Sequence, residues 1–177
     1  MLRRGGWVLW CGLVSIGAIG CAVMDHSHAP PLDRGVTWVM LPFGNHTETP
    51  QAGLRAEAIT ETVLRSLGVG DLRQFSATPP PDPLFEPTDP KVMEAALAWA
   101  RSQQARYAVT GSVDEWRYKV GVDGEPAVGV SLRLIDLQSN HVVWSAGGGR
   151  TGWSREAVSA VAQKLIKALL TQALPTS

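Results

Sequence analysis

Apolar and polar positions change period several times along this chain, and each change marks an element. A thirteen-residue, mostly apolar stretch from Trp7 to Ile19 follows Arg3 and Arg4. Val36 to Phe43, "VTWVMLPF", is a β-rich run closed by the turn-forming "GNHT", which predicts a strand. Between Pro50 and Leu67, the residues Leu54, Ala58, Ile59, Val63 and Leu67 recur at helical spacing, and Gly68 supplies a stop. Val69 to Phe75 is a short, weaker strand. The run "SATPPPDPLFEPTDP" is too proline-dense for helix or central strand and predicts an exposed loop, packing only through Leu84 and Phe85. Asp89 as cap and Pro90 at the first helical position open a second helix, with Met93, Ala96, Leu97 and Ala100 on one face and an end near Gln104.

Three successive strands follow, from Arg106 to Tyr118, Ala127 to Leu137 and His141 to Arg150, and their short connections make them antiparallel neighbours. The pair Asp123-Gly124 predicts a tight hairpin turn between the first two. Ser154 is the expected cap of a last helix, in which Val158, Val161, Leu165 and Leu169 form a stripe opposite Glu156, Ser159, Gln163 and Lys167. The predicted order is β-α-β-α-β-β-β-α. It implies a single α/β domain with helices laid against one mixed sheet.

The amino-terminal stretch changes this picture by setting a location. Two arginines, a short apolar stretch and the small residues Gly17, Ala18 and Gly20 before Cys21 make an export signal, too short to cross a bilayer as a mature helix. "SIGAIGC" resembles a bacterial lipobox, in which the cysteine is lipidated and becomes the first mature residue; Ala18 stands where such boxes more often carry leucine. The competing reading is an ordinary signal peptide cut elsewhere, with Cys21 a free thiol. Cys11 lies in the removed segment, so a lipid on Cys21 best explains a lone exported cysteine. The expected division is a signal peptide over 1–20, a lipidated cysteine and tether over 21–35, and a periplasmic α/β domain over 36–174. Residues 22–35, without periodicity, would reach at most roughly 50 Å. Ala22, rather than aspartate, after the cysteine resembles the sorting pattern for the outer membrane.

Charge narrows the function classes. Removing residues 1–20 takes away two of the sixteen basic residues and none of the sixteen acidic ones, leaving a nearly neutral, slightly acidic protein. No basic excess points to nucleic acid. His26, His28, His46 and His141 are too scattered to nominate a metal site or a catalytic set, no cofactor other than the covalent lipid is implied, and an enzyme is the least supported class. "GGGR" at Gly147 to Arg150 lacks the ending of a phosphate-binding loop and reads as a flexible strand end.

The element order, the lipobox and the passage "VTGSVDEWRYKVGVDGEPAVGVSLRLIDLQSNHVVWSAGGG" together resemble the PelC family, outer-membrane lipoproteins of Pel exopolysaccharide secretion. More broadly the domain resembles the lipoprotein fold of the curli secretion channel, the penicillin-binding-protein activators and the amino-terminal domain of TolB. The resemblance implies a homo-oligomeric, dodecameric ring beneath the outer membrane, whose acidic funnel guides a cationic polysaccharide to a β-barrel porin. Asp123 matches the family's acidic turn, with Glu125 as companion. Trp153, before the last helix, matches the membrane-facing aromatic, and Arg106 matches a functional arginine expected with Trp153 and Arg150 on the membrane-facing side, with Arg101 close by. A regulatory lipoprotein that activates a cell-wall synthase is the alternative the shared fold allows.

The same residues have a physical reading. Asp123 is equally well explained by turn geometry, whereas Glu125 gains nothing from it. Carboxylates repeated around a ring would concentrate negative potential and attract a polycation. Trp153, between Gly152 and Ser154, suits a water–lipid boundary better than a helix-entry staple, and Arg150 and Arg155 beside it suit phosphate head groups. Trp38, Trp99, Trp116 and Trp144 lie inside periodic elements and are expected in the core.

Overall fold

The computed structural model describes residues 21–76, 90–119 and 124–175. The signal segment, the Asp89 cap, Asp123, and the proline-rich loop with Leu84 and Phe85 lie outside the described residues. Nine elements follow in order: β1 (Ala22–His26), β2 (Trp38–Asn45), α1 (Ala52–Ser66), β3 (Leu72–Gln74), α2 (Pro90–Ser102), β4 (Tyr107–Tyr118), β5 (Pro126–Asp136), β6 (His141–Thr151) and α3 (Val158–Ala173). The strands form one mixed sheet in the order β1-β6-β5-β4-β2-β3. β2 runs parallel to both β3 and β4, and the remaining pairs are antiparallel. From β2 onward the order is the predicted one.

The sheet carries helices on both faces. α1 and α3 share a core with Trp38, Met40, Val109, Val130, Leu132 and Leu134. On the other face Ala96 and Ala100 of α2 meet Val39, Leu41 and Ala108. Both parities of β2 are therefore buried, which is why it reads as a continuous apolar run. Trp38 packs against Tyr107 with ring centres 4.9 Å apart and planes tilted by 54°. Trp38, Trp116 and Trp144 are buried as expected, while Trp99 is half-buried against the Phe75 ring. α3 buries its predicted stripe, extended by Ala162, Ile166 and Leu170.

Pro42 explains the most unusual part of this core. It has no N–H for a ladder, and the β2–β4 register shifts between Met40 and Phe43. Two polar side chains replace the lost bonds: the Thr110 hydroxyl donates to the Pro42 carbonyl at 2.8 Å, and the Glu57 carboxylate accepts the Phe43 N–H at 2.8 Å. Gln74 donates to the other Glu57 oxygen at 3.2 Å. This corrects the predicted face of α1: Ala52, Gly53, Ala56, Glu57, Thr60, Val63 and Leu64 point inward, and Leu54 is exposed. At its end Gly68, with φ +93°, donates to the Arg65 carbonyl while Val69 donates to that of Leu64, the double closure for which a glycine is suited.

Burial pushes the Glu57 carboxyl above the ordinary carboxylate range, against the smaller opposing pull of the Phe43 and Gln74 donors. A raised folded-state pKa gives stability that is complete below the ordinary carboxylate pKa, about pH 4, and declines as pH rises through the raised value. Glu57→Gln has no such decline and keeps an acceptor for Phe43. Urea midpoints measured across this window are expected to shift progressively in the variant's favour as pH rises.

Three further expectations are corrected. Residues 21–35 are not a free tether throughout, because Ala22–His26 zips onto β6 as an edge strand. It is exposed along its whole length, so no inside–outside alternation marks it in the sequence. Gly147 to Gly149 are not a flexible end but ladder positions between β5 and β1; a Cβ on Gly148 would lie 2.6 Å from the Val23 carbonyl. The base of the hairpin is closed where Tyr118 pairs with Pro126 and the Lys119 N–H donates to the Glu125 carbonyl at 2.7 Å, while the predicted Asp123-Gly124 turn falls on Asp123, outside the described residues. Pro126, lacking an N–H, sits at the first position of its strand. Finally, Ser154 does not cap α3. Residues 153–156 close a turn of their own, Arg155 adopts φ +85°, and the helix begins after Ala157.

Candidate functional site

One end of the sheet gathers most of the residues singled out in the sequence. The carboxyl end of β4, the amino end of β5 and the carboxyl end of β6 lie level there, since Tyr118 pairs with Pro126 and the Gly152 N–H donates to the Pro126 carbonyl at 2.9 Å. β1 adds the fourth strand: Ala22 pairs with Arg150, and the Thr151 N–H donates to the Cys21 carbonyl at 3.1 Å. Cys21 is an exposed free thiol, held two residues along the chain from the level of Trp153, or roughly 7 Å of extended backbone.

Trp153 is 57% exposed, which removes the staple reading. Its position is fixed by Glu156, which donates its N–H to the Trp153 carbonyl at 2.9 Å and accepts the Trp153 N–H on its carboxylate at 3.3 Å. The Lys164 ammonium bonded to that carboxylate holds the Glu156 pKa below its ordinary value, and the Trp153 N–H and Arg150 act in the same direction. The anchor of the turn is therefore ionised near neutral pH.

Glu125 is exposed at the same end, directly after Gly124, whose φ of +46° belongs to the hairpin tip. Its partner in the expected acidic pair, Asp123, lies outside the described residues. Arg106 does not join this group. It precedes β4 at the opposite end of the sheet, where its guanidinium donates to Asp136 at 2.7 Å and lies 5.5 Å from the Tyr107 ring centre. Asp136 is buried and also accepts the N–H groups of Gln138 and Ser139, so Arg106 closes a turn. Arg101 is at that end too, donating to Asn140 at 2.9 Å. Arg150 and Trp153 thus share a patch from which Arg106 is separated by the length of a twelve-residue strand.

The fold also builds a grouping that scattered sequence positions conceal. The Asp114 carboxylate accepts the Ser112 and Ser131 hydroxyls at 3.2 and 3.1 Å and contacts His46 Nδ1 at 3.0 Å. A hydrolytic triad needs the histidine between carboxylate and serine. Here both hydroxyls are committed to the carboxylate, and the cluster ties the loop after β2 to β4 and β5. No group of three or more metal-ligating side chains occurs among the described residues.

Comparison with known proteins decides the family. No family model matches the chain, and no curated protein matches it significantly. Among solved structures, the PelC dodecamer from Paraburkholderia phytofirmans is 43% identical, covers 89% of this chain and 100% of its own, and superposes with a TM-score of 0.75. The chain belongs to the PelC family. A second PelC dodecamer from the same organism, a leucine-to-methionine variant, gives 42% identity, coverage of 88% and 100%, and a TM-score of 0.76. Lipoprotein GNA1162 from Neisseria meningitidis, at 16% identity, coverage of 80% and 99% and a TM-score of 0.55, shares the fold.

Proposed function

We propose that this chain is a lipid-anchored secretion protein of the PelC type, assembling into a ring beneath the outer membrane and guiding a cationic exopolysaccharide toward a β-barrel porin. The observation that supports the membrane side of this reading is the clamp on Cys21: β1 holds Cys21, the residue that would carry the lipid, at the sheet end of half-exposed Arg150 and exposed Trp153. The solved PelC proteins are dodecamers, which supports a ring of this chain. In such a ring each hairpin tip would present Glu125 and Asp123, and their summed field would draw a polycation inward.

β1 makes the anchor shorter than sequence suggested. The free segment before the sheet shrinks from fourteen residues to almost none, so the domain would sit against the lipid rather than hang below it. That weakens the alternative of a cell-wall synthase activator, which needs reach. It also fits a protein that supports a pore built by another chain, since its long strands are all committed to one sheet.

Mass spectrometry of the protein recovered from membranes tests the anchor. The expected result is a mature chain beginning at Cys21 with acyl groups on it, and loss of that species in Cys21→Ser. An unmodified thiol at Cys21 would contradict it.

A further inference from the structure

Side-chain pairs across a ladder are what ordinarily secure an edge strand, and β1 is poor in them. Its three central residues, Val23, Met24 and Asp25, face Gly149, Gly148 and Gly147. Every residue from Cys21 to His28 is exposed, Val23 at 71% and Met24 at 44%. The backbone ladder is therefore the main hold on β1. It is continued by the Ser27 N–H, which donates to the Ser145 carbonyl at 2.8 Å, and by the Ser145 N–H, which donates to the Ser27 hydroxyl at 2.9 Å. His26 Nε2 adds an exposed contact of 3.1 Å to Gln172 Oε1. Exposed backbone bonds without buried apolar contacts belong to the least stable parts of a fold. Their net gain is comparable to the backbone entropy lost in ordering the strand.

Space explains only one of the three glycines. At Gly148 a Cβ would meet the Val23 carbonyl, so β1 could not close over any other residue there. At Gly147 and Gly149 the nearest atoms to a Cβ stand at 3.5 and 3.8 Å, which is ordinary contact. Threonine or valine would fit at both and would give β1 partners. The glycine strip thus admits β1 closely and grips it weakly. The chain beyond is held differently. Ala29, Leu32 and Val36 pack against the main core, the Trp38 indole N–H donates to the Asp33 carbonyl at 2.9 Å, and Arg34 donates to the Pro175 carbonyl at 2.7 Å. The boundary between weakly and firmly held chain falls between His28 and Ala29.

We propose that β1 is a reversible strap, opening from β6 while the rest of the domain stays folded, so that the anchor has two lengths. Closed, the Cys21 carbonyl is bonded by the Thr151 N–H and the domain is held at its anchor. Open, residues 21–28 are free and add roughly 25–30 Å of extended chain. That slack lets a lipid-anchored subunit turn to meet neighbouring copies before β1 closes and fixes its height. This consequence rests on the reading above, in which Cys21 is lipidated; the opening itself does not.

Hydrogen exchange read by mass spectrometry on the protein recovered from membranes in detergent tests the strap. The amides of β1 that bond β6 are expected to exchange about 100-fold or more faster than those shared by β4 and β5. Gly147→Thr combined with Gly149→Val is expected to slow exchange in β1 about tenfold while leaving α1 unchanged. Gly148→Ala should bring β1 to the rate of free chain, with β4 and β5 still protected as the control for folding. Exchange of β1 at the same rate as β4 and β5 would overturn the strap, and an unchanged rate in the Gly147→Thr, Gly149→Val protein would overturn the part given to the glycines. The mass of the peptide that begins at Cys21 reads the anchor separately. Slow exchange on an acylated peptide would remove the strap alone, whereas fast exchange on an unmodified one would keep the strap and remove its bearing on the anchor.

Discussion

Replacing Asp123 and Glu125 together by lysine is expected to reduce polysaccharide export about tenfold or more while leaving the assembled protein intact. The substitution changes each subunit by four charge units at the hairpin tip, so a ring repeats that reversal in a confined space. Glu125 is exposed and its side chain has no part in closing the hairpin, which relies on its backbone carbonyl and the Lys119 N–H. The Glu125 substitution should therefore leave folding unaffected, and the amount of assembled protein in the membrane shows whether the Asp123 substitution does too. Asp123→Asn with Glu125→Gln removes attraction without adding repulsion and is expected to fall between the two. Raising ionic strength should shrink the differences, since exposed charges are screened over about 8 Å at physiological salt. Polysaccharide recovered from the medium, normalised to protein in the membrane, measures the effect. Unchanged export by the double lysine variant would remove the acidic tip from the mechanism.

The largest effect on stability is expected from Gly111→Val. Gly111 lies in β4 where the sheet, the Phe43 ring and β5 meet most closely. A Cβ there would collide with the Ser131 carbonyl oxygen and stand 2.9 Å from the Phe43 ring and 3.1 Å from Leu132. The first contact is backbone and the other two belong to fully buried side chains, so no flexible group can yield. Forcing the strands apart would also disturb the bulge at Pro42, whose replacement bonds from Thr110 and Glu57 depend on local register. The expected cost is about 3 kcal/mol or more, at or beyond the upper end for overpacked cores. Gly111→Ala should show the same direction with a smaller loss. Equilibrium unfolding in urea gives the size, and a wild-type midpoint for the valine variant would show that the strands separate more easily than this packing allows.

What could be seen in advance followed from periodicity. α3 buries a regular stripe, β4 to β6 are long runs with short connections, and Gly68 sits at the end of a helix, so composition and spacing sufficed for each. α1 was harder because its inward face carries Glu57 and Thr60, placed there by a proline in a neighbouring strand rather than by apolarity. β1 left no pattern because it is exposed along its whole length. Trp153 stood out through its glycine and serine neighbours, and it is exposed. Arg106 looked equivalent by position, but its partner Asp136 lies thirty residues away and only the strand register reveals the pair.

As proposed, this PelC-family chain works as a closed ring anchored by Cys21. Its most direct test is the mass of the lipidated mature protein in detergent, by light scattering coupled to size exclusion. The account predicts a single species of about twelve subunits, the assembly of its solved relatives. A monomer at every concentration tested would contradict it.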